Sequence, residues 1–374
     1  MRKLGVVGGG QLGRMMIAEA KNILDLDIEI EVLDPTPNCP ASEFATQVVG
    51  DFKDKETVLA FGKDKDILAF EIELANSEAL SELAEAGVAI HPSPKTLGII
   101  KDKYAQKEFL KEHGLPLGPF QKAESAGDVK SFAAEHSYPV VLKARFGAYD
   151  GRGNLTIENE AGIEAAVAEL GSDLYVEAWV PFEKELAVVA ARDQGGTIYN
   201  YPVAETVHTD HICDTVTMPA SVDEGTAAKA EALAAKIMEV FHGAGVFGIE
   251  MFLTEASEVL INEIAPRVHN SGHGTLGGAT ISQFAQHMRA VCGLDLVKPE
   301  LAGKVVVMKN ILGTHNAPAN PTGIEEAEAL GARVDIYGKH DTKVKRKMGH
   351  VVAVGDTREE AMELAKRAHA CISI

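Results

Sequence analysis

Two apolar runs that each carry one glutamate constrain the fold of this 374-residue chain more than any other feature. The first run spans residues 246–253 and contains Glu250, and the second spans residues 258–265 and contains Glu263. The short polar connector at 254–257 predicts a turn, so the two runs together predict a β-hairpin. If the turn centres near Ala256 and Ser257, the two glutamates lie directly opposite each other, because their numbers are symmetric about that midpoint.

Two opposed acids on one face of a hairpin need a compensating charge. Directly opposed side chains have Cβ atoms ~4.5–5.5 Å apart, and like charges at that distance are destabilising. A divalent cation would neutralise the pair, and Mg²⁺ is typically held by one or two carboxylates together with substrate phosphates. The hairpin therefore predicts a metal site at Glu250 and Glu263, with a solvated pair of acids as the alternative.

Composition and charge exclude several classes of protein. The net charge of −19 argues against a nucleic-acid-binding surface, which requires a basic face. No run approaches the ~18 consecutive apolar residues of a membrane helix, and the N-terminus does not match a signal peptide. We therefore expect a cytoplasmic protein without a membrane partner. The four cysteines are far apart and lack metal-ligand or redox spacing.

The pattern of predicted elements divides the chain into three domains. Residues 1–97 alternate between strands and helices, which predicts an α/β domain with a doubly wound parallel sheet. A lysine-rich helix is predicted over residues 97–114. Strands separated by glycine loops then predict an α+β nucleotide-binding domain over residues 98–296. Residues 297–374 predict a small C-terminal domain.

A glycine-rich turn follows the first predicted strand. Residues 8–13 match the G-x-G-x-x-G pattern between a strand and a helix, and Asp34 stands about two dozen residues beyond Gly10. Read alone, this is the dinucleotide fingerprint, which would indicate an NAD-dependent dehydrogenase. Backbone N–H groups and a helix dipole attract phosphate of any kind, however. A ribonucleotide monophosphate is the interpretation that we favour.

A second candidate phosphate site begins at Lys143, which ends a predicted strand. The loop that follows contains Gly147, Gly151 and Gly153 but lacks the G-K-[ST] ending of a Walker loop. A flexible loop of this kind can fold over a triphosphate and exclude water, while Lys143 supplies a positive charge. Further along, the segment 177–180 has the form of a hinge that contacts a nucleotide base.

Taken together, these motifs resemble the ATP-grasp ligases, and among them the N5-carboxyaminoimidazole ribonucleotide synthetases of purine biosynthesis. The resemblance covers the whole chain and implies the ATP-grasp fold. The runs that carry it are residues 8–15, 70–73, 101–103, 149–153 and 262–273, with Lys339 and residues 346–350. The chain departs from the family pattern at Ala148, Asn154 and Gly274.

The resemblance implies that 5-aminoimidazole ribonucleotide is carboxylated by bicarbonate through carboxyphosphate, with ATP and Mg²⁺ as cofactors and ADP and phosphate as products. It also implies a homodimer. A related ATP-grasp ligase, such as a formate-dependent glycinamide ribonucleotide transformylase, is the nearest alternative. A dehydrogenase would need neither the opposed acids nor a second phosphate loop.

The resemblance further implies roles for individual residues, in four groups. ATP would be bound by Lys103, Lys143, Ala148, Tyr149, Asp150, Gly151, Arg152, Gly153, Asn154, Glu177, Ala178, Trp179, Val180, Glu185, His208, Asn262 and Glu263. The ribonucleotide would be bound by Gly10, Gln11, Leu12, Glu73, Tyr149, Asp150, Arg152, Lys339 and Arg346. The catalytic residues would be Arg267, His269, Asn270, Asp150 and Arg152. The metal would be bound by Glu250 and Glu263.

Overall fold

A computed structural model describes residues 2–23, 28–147 and 153–374. Its first part is a five-stranded sheet in the order β3-β2-β1-β4-β5, and every neighbouring pair is parallel. The strands are β1 (Arg2–Val7), β2 (Ile28–Asp34), β3 (Thr46–Val49), β4 (Ile67–Phe70) and β5 (Ala89–His91). The helices are α1 (Gln11–Ile23), α2 (Lys55–Gly62) and α3 (Ser77–Glu85).

Side chains of β1 alternate between the two faces of this sheet. Leu4 and Val6 pack in the same core as Met16 of α1, whereas Val7 packs with Val58 of α2 and Leu80 of α3. Successive side chains of a strand point to opposite faces, so helices cover both sides of the sheet. The predicted doubly wound parallel sheet is therefore confirmed.

The prediction of one helix over residues 97–114 is wrong. The structure has two helices, α4 (Pro94–Ile100) and α5 (Lys103–Glu112), separated at Lys101 and Asp102. The Asp102 side chain caps α5 by accepting hydrogen bonds from the backbone N–H groups of Tyr104 and Ala105. Aspartate is a preferred N-cap residue because its carboxylate satisfies amides that lack a partner within the helix. The new helix therefore starts at Lys103.

A four-stranded antiparallel sheet follows, in the order β6-β9-β7-β8. Its strands are β6 (Phe120–Ala123), β7 (Val140–Ala144), β8 (Asn154–Ile157) and β9 (Leu174–Ala178). Two helices, α6 (Ala126–His136) and α7 (Ile163–Leu170), share a buried apolar core with it. Lys143 and Glu177 lie on adjacent strands of this small sheet.

The largest sheet has nine strands and runs β15-β14-β10-β12-β13-β16-β20-β18, with β11 paired to β10. The strands are β10 (Phe182–Arg192), β11 (Ile198–Asn200), β12 (Ala204–Thr209), β13 (Ile212–Met218), β14 (Gly245–Thr254), β15 (Val259–Ala265), β16 (Val305–Leu312), β18 (Arg333–Ile336) and β20 (Lys347–Gly355). The remaining elements are α8 (Glu224–Val240), α9 (Thr275–Gly278), α10 (Gln283–Val291), β17 (Ala317–Pro318), α11 (Ile324–Ala329), β19 (Asp341–Thr342) and α12 (Arg358–Cys371).

This sheet crosses the domain boundary that we predict between residues 296 and 297. Strand β13 of the central part pairs with β16 of the C-terminal part, with Thr215 opposite Lys309. The two parts therefore share one continuous hydrogen-bonded sheet, and the three domain limits stay predictions. Within residues 2–23, 28–147 and 153–374, no helix has both the length and the apolar character needed to cross a membrane.

Candidate active site

The hairpin of β14 and β15 places Glu250 directly opposite Glu263, which confirms the predicted opposition. The reason differs from the symmetry argument. Next to the turn, Leu253 pairs with Val259, a register centred on Ala256 that would place Glu250 opposite Asn262. The register shifts beyond Met251, so Asn262 is an extra residue and Glu263 moves into place. A β-bulge of this type re-aims side chains and is common beside active sites.

The two glutamates have different electrostatic surroundings. Burial raises the pKa of Glu250 to about 7, and the negative charge of Glu263 adds to the rise. Burial would also raise the pKa of Glu263, but the charge and hydrogen bond of Lys103, together with the charges of Lys143 and His269, lower that pKa below its usual value. Lys103 Nζ lies 2.6 Å from Glu263 Oε2, whereas Glu250 contacts His269 Nε2 at 3.4 Å and Asn262 Nδ2 at 3.3 Å. The pair therefore carries more negative charge than Lys103 neutralises.

Two lysines share the carboxylate of Glu177. Lys143 Nζ lies 2.6 Å from Glu177 Oε2, and Lys107 Nζ lies 2.9 Å from Glu177 Oε1. Burial lowers the pKa of Lys107, although Glu177 opposes that shift. Residues 103 and 107 are one helical turn apart on α5, and residues with this spacing lie on the same helix face. The predicted contact of Glu177 with ATP thus involves a side chain that is already bound between two lysines.

The predicted phosphate loop is held at both ends, but its centre lies outside the described residues. The backbone N–H of Ala144 donates to the carbonyl of Gly153 at 2.8 Å, and Asn154 pairs with Lys143 across β7 and β8. Five predicted site residues lie outside the described part of the chain, namely Ala148, Tyr149, Asp150, Gly151 and Arg152.

The remaining predicted ATP contacts lie along β9, β10 and β12. Ala178 ends β9, and Trp179 follows it with 46% of its surface exposed, next to Val180. On the neighbouring strands β10 and β12, Glu185 forms an ion pair with His208. Burial would lower the pKa of His208, but the hydrogen bond and charge of Glu185, together with the charge of Glu250, raise that pKa.

Protein carboxylates occupy much of the N-terminal glycine turn. Glu71 accepts hydrogen bonds from the backbone N–H groups of Gly10 and Gly13 at 2.5 and 2.7 Å. Asp34 accepts one from Gly9 at 2.8 Å and another from Thr36. Burial raises the pKa of Glu71, although the hydrogen bonds from the backbone of Gly13 and Gly10 oppose the rise. Asp34 is therefore committed to the turn itself, whereas the dinucleotide interpretation needs a free acid for ribose.

Two predicted substrate residues meet beside this turn, although 328 positions separate them in the chain. Lys339 Nζ donates to Gln11 Oε1 at 2.5 Å and to the carbonyl of Lys347 at 2.6 Å. Arg346 lies in the same C-terminal segment, and its guanidinium donates to the carbonyl of Asp341. The structure thus brings Gln11 and Lys339 together, as we predict, whereas the hydrogen bond of Arg346 stays within its own segment.

Arg267 connects the glycine-turn side of the site to the acidic hairpin. Its guanidinium lies 2.8 Å from Glu73 Oε1, and Glu73 follows β4 of the N-terminal sheet. Burial would lower the pKa of Arg267, but the charge and hydrogen bond of Glu73, together with the charges of Glu71 and Glu263, raise that pKa. A residue predicted to bind the ribonucleotide therefore touches one predicted to act on bicarbonate.

Three family descriptions match successive parts of the chain. The ribonucleotide synthetase preATP-grasp domain matches residues 1–101, and the ATP-grasp domain matches residues 108–284. The phosphoribosylaminoimidazole carboxylase C-terminal domain matches residues 306–364.

Relatives that match this chain over nearly their whole length show the family to which it belongs. The chain is 36% identical to an N5-carboxyaminoimidazole ribonucleotide synthase of Bacillus subtilis, over 96% of this chain and 92% of that protein. It also matches the crystal structure of N5-carboxyaminoimidazole ribonucleotide synthetase from Thermotoga maritima with a TM-score of 0.90 and 41% identity, over 100% of this chain and 99% of that one. The chain belongs to the N5-carboxyaminoimidazole ribonucleotide synthetase family. It has the ATP-grasp fold that the resemblance implies.

The chain is also similar to a longer protein that is named a carboxylase and to a synthase whose structure contains bound ligands. A phosphoribosylaminoimidazole carboxylase of Ogataea methanolica is 38% identical over 95% of this chain, and the chain spans about two thirds of that relative's length, 66%. A synthase structure from Aspergillus clavatus was solved in complex with ADP and 5-aminoimidazole ribonucleotide. It matches with a TM-score of 0.90 and 35% identity, over 99% of this chain and 98% of that one.

Sequence reasoning missed several polar residues that support the predicted synthetase site. Asn270 exchanges two hydrogen bonds with Asn310 of β16, at 3.1 and 2.7 Å. The backbone of His269 binds the amide of Gln283 on α10, and Lys107 completes the lysine pair around Glu177. Lys107 could have been found from its helical spacing to Lys103. A buried asparagine or glutamine has no comparable pattern in a single sequence.

Proposed function

We propose that this protein catalyses the ATP-dependent carboxylation of 5-aminoimidazole ribonucleotide by bicarbonate, giving N5-carboxyaminoimidazole ribonucleotide, ADP and phosphate. The observation that carries the proposal is the 2.8 Å contact between Glu73 and Arg267, because it joins the proposed ribonucleotide site to the bicarbonate site. The complex of the Aspergillus clavatus relative with ADP and the ribonucleotide supports the same choice of substrates.

The chemistry explains why the site concentrates positive charge. Bicarbonate is a poor electrophile because its carbon bears an anionic oxygen. When that oxygen attacks the γ-phosphorus of ATP, ADP leaves and carboxyphosphate forms. The amine of the ribonucleotide then attacks the carbon, phosphate leaves, and the nitrogen loses a proton to become the carbamate. Two anions meet in the first step, and Lys103, Lys143 and Arg267 would stabilise the charge that develops there.

A divalent cation fits the pair Glu250 and Glu263. The raised pKa of Glu250 reflects burial next to a second acid, and a bound cation would favour the ionised form of both. Among the described residues, no group of three or more His, Cys, Asp and Glu side chains is arranged to hold a metal ion. Mg²⁺ held by two carboxylates and ATP phosphates suits this arrangement, and it would neutralise charge on the transferred phosphoryl group.

The ribonucleotide phosphate would bind at the start of α1, between Gln11 and Lys339. Glu71 already accepts from Gly10 and Gly13, and within the described ranges no acceptor bonds to the backbone N–H groups of Gln11 and Leu12. Free N–H groups at a helix N-terminus bind phosphate well. Lys339 would add a positive charge to the same phosphate.

The other proposed roles rest on the family resemblance. His269 and Asn270 would orient bicarbonate, and Glu73 would bind ribose hydroxyls. The same resemblance supports roles for Asp150 and Arg152 at the reacting amine, a contact of Arg346 with the ribonucleotide phosphate, a homodimer and a cytoplasmic location.

An ATPase assay tests the reaction. We expect phosphate release to require both bicarbonate and 5-aminoimidazole ribonucleotide, with product formation matching ADP formation. Formate with glycinamide ribonucleotide is the control for the related transformylase, and NAD is the control for a dinucleotide enzyme. Turnover with formate instead of bicarbonate, or micromolar binding of NAD, would contradict the proposal.

A further inference from the structure

Three buried glutamine side chains each bind both backbone polar groups of a residue in another element. In every case the side-chain carbonyl accepts from the backbone N–H, and the side-chain NH₂ donates to the backbone C=O. The donor–acceptor distances lie between 2.6 and 3.1 Å. The pairs are Gln106 with Ile264, Gln283 with His269, and Gln286 with Val297. Each side-chain amide therefore makes the two hydrogen bonds that a neighbouring peptide group would make in a regular strand. The backbone residue that it binds lies near the end of a strand or in a loop.

Gln283 differs from the other two because its amide makes a third contact within the loop that it binds. Besides the two bonds to the backbone of His269, its NH₂ lies 3.1 Å from Nδ1 of His273. Both amide hydrogens and the carbonyl oxygen are thus in use. The side chain is fully buried, and a Cβ added at Gly272 would lie 2.4 Å from its Oε1. The loop therefore needs a glycine at 272 for this close approach.

The residue that Gln283 holds, His269, contacts the acidic pair. His269 Nε2 lies 3.4 Å from Glu250 Oε1, and its Nδ1 lies 2.9 Å from the hydroxyl of Ser271. The ring also lies against β14, where a Cβ added at Gly248 would be 2.3 Å from Cβ of His269. A shift of the His269 peptide would therefore move the imidazole relative to Glu250.

We propose that Gln283 is a positioning residue for the carboxylation, because its amide fixes the backbone of His269 and so the distance between the imidazole and Glu250. This inference rests on the proposed function for its kinetic readout. Misplacement of a reacting group by about 1 Å can cost about 100-fold in rate, and outer-shell residues of metal sites typically contribute about 10- to 100-fold.

The chain supplies a matched control on the same helix. Gln286 is equally buried and makes the same two backbone bonds, but to Val297, outside the proposed site. We expect Gln283→Met and Gln286→Met to lower the melting temperature similarly. Gln283→Met should lower kcat by about 10- to 100-fold while the KM for ATP changes little, and Gln286→Met should keep the wild-type kcat. Equal losses of kcat in the two folded variants would overturn the proposal.

A second variant and a second readout keep the test decisive. If Gln283→Met does not fold, Gln283→Glu retains the acceptor for the N–H of His269 but its carboxylate lacks the two donors, and we expect the same selective loss of kcat. The ring signal of His269 in proton–carbon NMR spectra, assigned with His269→Asn, should move in the Gln283 variant and stay in Gln286→Met. This comparison needs no turnover, so an inactive wild-type protein would refute the proposed function alone. An unmoved ring signal would overturn the role of Gln283.

Discussion

The glycine turn of the N-terminal sheet concentrates backbone N–H donors, and the hairpin concentrates two carboxylates. The protein compensates these two groups differently. At the turn, the N–H groups of Gly10 and Gly13 donate to a single internal carboxylate, Glu71. At the hairpin, Lys103 contacts Glu263, while Glu250 has a pKa raised to about 7. A sequence motif shows that a site can attract a ligand. The charge left over after folding shows where a ligand is still needed.

The largest effect that tests this contrast is expected from Glu263→Gln. Losing a carboxylate of the proposed cation site should lower ATP turnover by roughly 100-fold or more, because a bound cation supplies several kcal/mol of charge stabilisation. The free energy of unfolding should fall only modestly, because the ion pair with Lys103 is lost while the like-charge contact with Glu250 is relieved. Phosphate release and urea denaturation measure the two quantities. Glu255→Gln, at the exposed tip of the same hairpin, is the control. Near-normal turnover at saturating Mg²⁺ would refute the metal assignment.

A smaller effect is expected where side chains supplement the glycine turn. Lys339→Ala and Arg346→Ala should each raise the KM for the ribonucleotide, because a hydrogen bond to a charged group contributes roughly 1.5–3 kcal/mol. Steady-state kinetics with ribonucleotide and bicarbonate varied separately would measure this, with Lys366→Ala on the exposed face of α12 as the control. A defect confined to the bicarbonate dependence would show that the C-terminal segment does not bind the phosphate.

Glu71→Gln should have the opposite pattern to Glu263→Gln, with a larger effect on stability than on turnover. The amide can accept from one glycine N–H but presents its own N–H groups to the other, so a buried donor loses its partner. We expect the free energy of unfolding to fall by roughly 1–3 kcal/mol. Turnover at saturating substrates should change far less than in Glu263→Gln. Urea denaturation and the ATPase assay decide, with Glu85→Gln at an exposed position as the control. A large loss of turnover without loss of stability would contradict the structural role of Glu71 in the glycine turn.

A last test concerns pH in the absence of Mg²⁺. The pKa of Glu250 rises from 4.5 to about 7 on folding, so the folded protein binds more protons than the unfolded chain between these values. Its contribution to stability is therefore present at low pH and is lost as the pH rises through this window. Denaturation at pH 5 and pH 8 should show a difference that shrinks in Glu250→Gln and with Mg²⁺ and ATP. An unchanged difference in Glu250→Gln would assign the pH dependence to other groups.

Local patterns in the sequence were sufficient for much of the fold. The alternating strands and helices of the first 97 residues predicted the parallel sheet, and two apolar runs around a short connector predicted the hairpin. The bulge at Asn262 was not predicted, because one extra residue in a strand leaves no trace in hydrophobic periodicity. The break at Asp102 had a recognisable cap residue, yet its carboxylate also accepts a hydrogen bond from Arg145, which follows the distant strand β7.

The site was predictable where charge itself is the pattern, and much less so where neutral groups act at long range. Glu250 and Glu263 were identifiable as two acids in neighbouring apolar runs, although their direct opposition depends on the bulge at Asn262. Gln283 acts only through its fully buried amide, and the motif that contains Glu71 does not predict its hydrogen bonds to the glycine turn. Such partners are set by tertiary packing, which brings together groups that no local rule connects.

The nine-stranded sheet has a consequence for how the chain is made. Strand β13 pairs with β12 on one side and with β16 on the other, and β16 leaves the ribosome long after β13. Until then, the backbone N–H and C=O groups along one edge of β13 have no strand to pair with, which invites association between nascent chains. The C-terminal part therefore also covers an edge of the central sheet, and a chain truncated before Val305 would keep that edge open.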